Sequence, residues 1–205
     1  KNPRLLLKVL NKYYEQKEYH RITDFVNSLE EREFDEDGDI AAIYLLAFSK
    51  QNGFELAMVK FEELRQAFPN SIMLYTNASF VAFEHENNEL AKTLIEKAIS
   101  LISEDHDPVR FFIAKNCESI GLIEQAIKVL EPFKQYSVKA SEMLVKLLLI
   151  SEEPTRDEQA EQIVDELIQT GNASQNILHA KAEIALRREN ISEALDPLIT
   201  SHRIN

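Results

Sequence analysis

Apolar side chains in this chain fall at steps of three, four and seven, the spacing that keeps them on one face of a helix. One arrangement recurs: an opening residue, usually Ala, then apolar residues four and seven positions later. It reads Ile22/Val26/Leu29, Ala57/Phe61/Leu64, Ala91/Ile95/Ala98, Ala126/Leu130/Phe133, Ala160/Val164/Leu167 and Ala194/Leu198, the last with Ser201. Successive opening residues lie 34 or 35 positions apart. Regularity of that kind marks an internal repeat whose unit is one helical hairpin. A small Ala lets a neighbouring backbone come close, and the larger residue one turn on fills the space beside it.

A second helical stretch precedes each of these, over 4–16, 40–51, 71–86, 108–119, 141–151 and 175–188. Breakers punctuate the pattern. Gly53 and Gly121 fall in the short turns between paired helices, and Pro69 follows the second helix of its repeat. Asp107-Pro108 reads as a cap and a first-turn proline, Thr155 with Glu158 has capping-box spacing, and Gly171 suits a helix end. The expected units are about 4–37, 38–70, 71–105, 106–139, 140–173 and 174–205, forming a single domain.

Composition sharpens this. Four glycines, six prolines and no Trp are few turn-formers for a β-sandwich or barrel. A hydrophobic share of 44% is too high for disorder, yet no run of eighteen apolar residues exists, so membrane insertion is not expected. The net charge of −12 repels phosphate backbones and argues against nucleic acid as a partner. Cys117, the sole cysteine, rules out an internal disulfide and suits a reducing, cytoplasmic setting. The chain starts at Lys1 without Met or a signal-like stretch and is read as a piece of a longer protein.

Chemistry-bearing motifs are missing. There is no Gly-x-Ser-x-Gly, phosphate-cradling loop, His-Glu-x-x-His or Cys-x-x-Cys. The five histidines are scattered. Asp35-Glu36-Asp37-Gly38-Asp39 resembles the start of a calcium loop, but Ile40 and Leu46 stand at its sixth and twelfth positions. It reads more simply as a solvated turn between repeats. Asn-x-Ser triplets at Asn77, Asn172 and Asn190 read as coincidence. Neither enzymatic activity nor a metal or cofactor is expected.

The repeat resembles the tetratricopeptide repeat (TPR), most closely over Ser71 to Asp105, with Tyr75, Ala78, Ser79, Ala82, Ala91, Ile95 and Ala98 at the family's positions. The likeness covers nearly the whole chain. It implies an all-α fold, a right-handed α-α superhelix of about six helix-turn-helix repeats. The family's small residue midway along each first helix appears as Ser79, Ala114 and Ala182, but as Leu10, Leu45 and Leu148 in the other units. Wider helix packing is expected in those. Repeats that read single-stranded RNA have a similar period but need a basic groove, and HEAT or armadillo arrays have longer periods.

TPR superhelices bind partners mainly on the inner wall formed by first helices. Carried onto this chain, the resemblance implies a partner surface of Lys8, Lys12, Phe80, Phe83, Phe111 and Lys115, with Thr76, Glu118, Val145, Leu149, His179 and Glu183 nearby. Phenylalanines beside lysines suit a peptide with acidic flanks. The family's clamp for acidic chaperone tails needs Asn where Lys12 stands, so that activity is not implied. The expected function is a protein-interaction scaffold; the alternative is a regulatory or targeting module fused to an enzyme, with RNA binding less favoured. Ala194, Leu195, Leu198 and Ile199 near the last residues are expected to be covered by further chain of the longer protein or by a second copy, in self-association through the C-terminal end.

Overall fold

The computed structural model describes residues 3–29, 38–103, 107–151 and 153–203. Among them are twelve α-helices, one 3₁₀ stretch and no strand. The chain divides into two compact units, Lys1–Ile120 and Gly121–Asn205.

The first unit holds α1 (Pro3–Glu15), α2 (Tyr19–Asn27), α3 (Asp39–Asn52), α4 (Phe54–Ala67), α5 (Ile72–Glu84), α6 (Asn88–Ser100) and α7 (Asp107–Ser119). The second holds α8 (Ile123–Leu130), the 3₁₀ stretch (Glu131–Tyr136), α9 (Val138–Ile150), α10 (Pro154–Gln169), α11 (Gln175–Arg187) and α12 (Ile191–Arg203). Odd-numbered helices are the first and even-numbered the second helices of the repeats. Within each unit a second helix packs on the first helix that follows, as α2 on α3 and α10 on α11.

Local chemistry explains most boundaries. Ser71 Oγ accepts from Leu74 N–H at 3.2 Å, and Ser137 and Ser174 cap α9 and α11 in the same way. Capping at α10 departs from expectation. Pro154 opens the helix with Glu153 before it, and Thr155 lies inside the first turn, because the proline's missing N–H costs nothing there. Pro132 has the opposite effect. Without an N–H for the Lys128 carbonyl it cannot continue α8, which ends at Leu130 and gives way to the 3₁₀ stretch.

Turns inside the hairpins repeat as well. Lys17, Glu86 and Glu189 adopt left-handed conformations with φ of 59°, 61° and 60°. After α5, Glu86 N–H donates to Phe83 O at 2.9 Å and Asn87 N–H to Ala82 O at 2.9 Å, closing a Schellman motif without glycine. Gly38 has a different reason for being glycine. Its φ is +74°, and an added Cβ would stand 2.9 Å from Phe68 Cγ. Residues 35–37 of the calcium-like segment lie outside the described residues, while Asp39 opens α3. No group of three His, Cys, Asp or Glu among the described residues could hold a metal ion.

The repeat pattern is the core. Ala57, Ala91, Ala126 and Ala160 are fully buried, and so, to within 3%, are Val26, Phe61, Ile95, Leu130 and Val164 one turn on. Leu198, at the same position in α12, is 41% exposed. The midpoint residues Leu10, Leu45, Ser79, Ala114, Leu148 and Ala182 are all buried.

Candidate functional site

First helices of the first unit line a groove of about 590 Å³. From α1 come Leu7, Asn11 and Tyr14, and from α3 chiefly Ala42, Ile43 and Leu46. Met73, Thr76, Asn77 and Phe80 of α5 continue the wall, and Phe112, Lys115, Asn116 and Ser119 of α7 close it. One row of this wall follows the repeat: Asn11, Leu46, Phe80 and Lys115 stand in equivalent positions of four successive units. The middle of the groove is apolar, while Asn11, Asn77 and Asn116 supply amides, Lys115 a cation and Asp39 a carboxylate.

Two polar features are built into it. Asn116 is buried, and its Nδ2 donates to the Thr76 carbonyl at 2.7 Å, tying α7 to α5. Its Oδ1 is buried without a hydrogen-bond partner among the described residues. Tyr14 has its phenol pushed up to about 12, first by burial, then by the negative charge of Glu84 and by Tyr19. Glu84 in turn pairs with Lys50 at 2.6 Å across α3 and α5. The phenol therefore stays protonated through the physiological range.

Phe80 and Lys115 stand together on this wall. Phe83 and Phe111 are half-buried and do not line it. Phe112, exposed by 56% and edge-on to Phe111 at 6.2 Å, takes the place expected for Phe111. Residues 112, 116 and 119 form one stripe of α7 that faces the groove, and the Asn116–Thr76 bond lies on that stripe. Lys8 and Lys12 are exposed outside the lining, and Lys12 pairs with Glu15 at 3.1 Å. In the register that aligns Leu10 with Ser79, the α1 counterparts of Thr76 and Phe80 are Leu7 and Asn11. Lys8 and Lys12 lie one residue further, about 100° round the helix. In the second unit Val145 and Leu149 are buried, whereas His179 and Glu183 are exposed.

Nucleophile chemistry finds little support. Cys117 is buried and its thiol is pushed up to about 12 by desolvation, which keeps it an unreactive thiol. Ser201 Oγ lies 2.8 Å from His179 Nε2, but the hydroxyl is buried in the α11/α12 crossing, out of a substrate's reach.

Among solved structures, the chain is similar to YrrB, a TPR protein with an unusual peptide-binding site. The TM-score is 0.61 at 16% identity, over 83% of this chain and 87% of that one. The fold is that of a TPR protein. PilF of Pseudomonas aeruginosa gives a TM-score of 0.59 at 13% identity, over 98% of this chain and 91% of that one. No family model matches the sequence, and no curated protein matches it either. At such identities only the TPR fold is shared. No helix among the described residues is long and apolar enough to cross a membrane.

Proposed function

We propose that this chain is a non-catalytic scaffold that binds a protein or peptide along the first-helix groove of its first unit. The observation that carries this is the groove itself: an apolar floor of about 590 Å³ edged by amides, by Lys115 and by the Asp39 carboxylate. Its chemistry suits a short segment with apolar anchors, backbone N–H groups to donate, and an acidic flank near Lys115. The peptide-binding TPR neighbour supports the same class of ligand. The six repeats are taken to act as one domain in a reducing compartment, and urea unfolding in a single transition is the expected signature. A role as the targeting module of an enzyme remains the second reading, and RNA binding is disfavoured by the net charge of −12.

Peptides selected from a display library against the purified chain, titrated by fluorescence anisotropy, test the groove. Lys115→Glu and Phe80→Ala should each weaken binding about tenfold or more without moving the melting temperature, while Lys8→Glu should have a smaller, salt-sensitive effect. Wild-type affinity in both groove variants would move the site to the outer face or an end of the repeats. We also propose that the exposed apolar residues of α12 take part in self-association.

A further inference from the structure

One dipeptide of the chain carries chemistry that needs no enzyme. Asn52 is the only asparagine followed by glycine. Gly53 is also the whole connection between α3, which ends at Asn52, and α4, which begins at Phe54. The asparagine side chain holds an electrophilic carbonyl carbon, Cγ, and a bond from the next backbone nitrogen to it closes a five-membered imide. At every other asparagine the following residue, where there is one, carries a Cβ that crowds this attack. Gly53 carries none, and apart from its chain neighbours nothing lies within 4 Å of where a Cβ would stand.

The folded turn restrains the reaction and leaves it one route. Gly53 N–H donates to the Ser49 carbonyl at 2.9 Å, and Asn52 Nδ2 donates to the Phe48 carbonyl at 3.0 Å. While both bonds stand, the nitrogen keeps its proton and the amide is turned back along α3. Asn52 is helical, and ring closure needs its ψ swung away from the helical value of about −42°. Both bonds belong to the last turn of α3, and helix ends fray. Gln51 and Asn52 are exposed, so opening that turn uncovers little core. Asn27 ends α2 in a similar way, but Ser28 follows it and its Oδ1 accepts from Tyr44 Oη at 3.0 Å.

We propose that Asn52 is a site of spontaneous deamidation in the folded chain, converting through a cyclic imide with Gly53 into aspartate and isoaspartate. Hydroxide takes the Gly53 N–H proton as the last turn of α3 frays. The nitrogen attacks Cγ; the N–Cγ bond forms, and the Cγ–Nδ2 bond breaks with release of ammonia. Water then opens either imide carbonyl. One opening gives aspartate, and the other routes the main chain through Cβ and gives isoaspartate. Either product sets a carboxylate at the negative end of the α3 dipole and loses the donation to Phe48. Isoaspartate also lengthens the main chain by one atom beside a connection of a single residue. Because α3 brings Ala42, Ile43 and Leu46 to the groove, the modification falls on an element of the groove wall.

Peptide mapping of the folded chain, held for days in mildly alkaline buffer, tests it. The tryptic peptide from Gln51 to Lys60 should split into its amide form and two acidic forms one mass unit heavier, while the peptide carrying Asn27 keeps its amide. Conversion should run about tenfold slower than in urea, the restraint set by one helical turn. Asn52→Gln, whose ring would need a sixth member, should gain no acidic form. Asn52→Asp carries one product from the start and should unfold at a lower urea midpoint. An intact amide at Asn52 in the folded chain, with conversion only in urea, would overturn the proposal. So would conversion of Asn27 as fast as Asn52, since glycine would then not be the cause. Equal rates in the folded chain and in urea would overturn the restraint by the two hydrogen bonds.

Discussion

The hairpins α3/α4 and α5/α6 have nearly equal lengths and bury the same opening alanine, yet α5 and α6 are apposed along far more of their surfaces. The difference lies at the midpoint of the first helix. Ser79 is small enough for the α6 backbone to come within hydrogen-bond reach, and its Oγ donates to the Ala91 carbonyl at 2.7 Å. Leu45, fully buried, fills the equivalent space with side chain. The second unit repeats the lesson in α11/α12, where Ala182 accompanies close apposition, and α1/α2 with Leu10 falls with the wider pairs. A repeat that departs from the small-residue pattern is thus wider without being empty. Backbone approach and side-chain volume are alternative ways to exclude water from one crossing.

Breaking the wider crossing should have the largest effect. Leu45→Ala removes the volume that holds α3 and α4 together, and a cost of about 2–5 kcal/mol in urea unfolding is expected. A cost below about 1 kcal/mol would mean that α4 closes onto α3 as α6 does onto α5.

The close crossing should instead resist added volume. Ala91→Trp is expected to destabilise by about 1–3 kcal/mol through overpacking, and by more than Ala57→Trp in the wider pair. Equal losses at the two alanines would contradict the distinction between the hairpins.

Ser79→Ala isolates the hydrogen bond from the size of the residue. Its loss should amount to about 0.5–1.5 kcal/mol, with the Ala91 carbonyl still facing the N–H of its own helix. A neutral result would leave size alone as the reason for the close approach.

The smallest effect is a gain. Glu86 stands left-handed in the α5/α6 turn, where L-residues are disfavoured, while the α3/α4 turn already uses Gly53. Glu86→Gly should stabilise the chain by about 0.5–1 kcal/mol. The midpoint of chemical denaturation should rise, and a fall would mean that the glutamate side chain holds the turn in another way.

Much of this was legible from residue spacing. The hairpins, their glycine turns and the buried alanines follow from steps of three, four and seven. Departures have local causes of different kinds. Pro132 ended α8 early by a rule readable from one residue, whereas Thr155 lost its capping role to the neighbouring Pro154. The groove was half legible. Phe80 and Lys115 share a row fixed by the repeat, and Leu7 and Asn11 could have been found by aligning Leu10 with Ser79. Phe112 could not, since its place depends on how α7 packs against α5, a contact between residues forty positions apart as in the Asn116–Thr76 bond.

By itself the sequence determined which segments are helices and that they pair in units of 34 or 35 residues. Helical period and the burial of small residues are local and repetitive enough to survive substitution. Only the tertiary structure decided how far each helix is turned about its own axis. One residue is about 100° of rotation, so the choice between Lys8 and Leu7, or between Phe111 and Phe112, is made by contacts between helices that no single repeat contains.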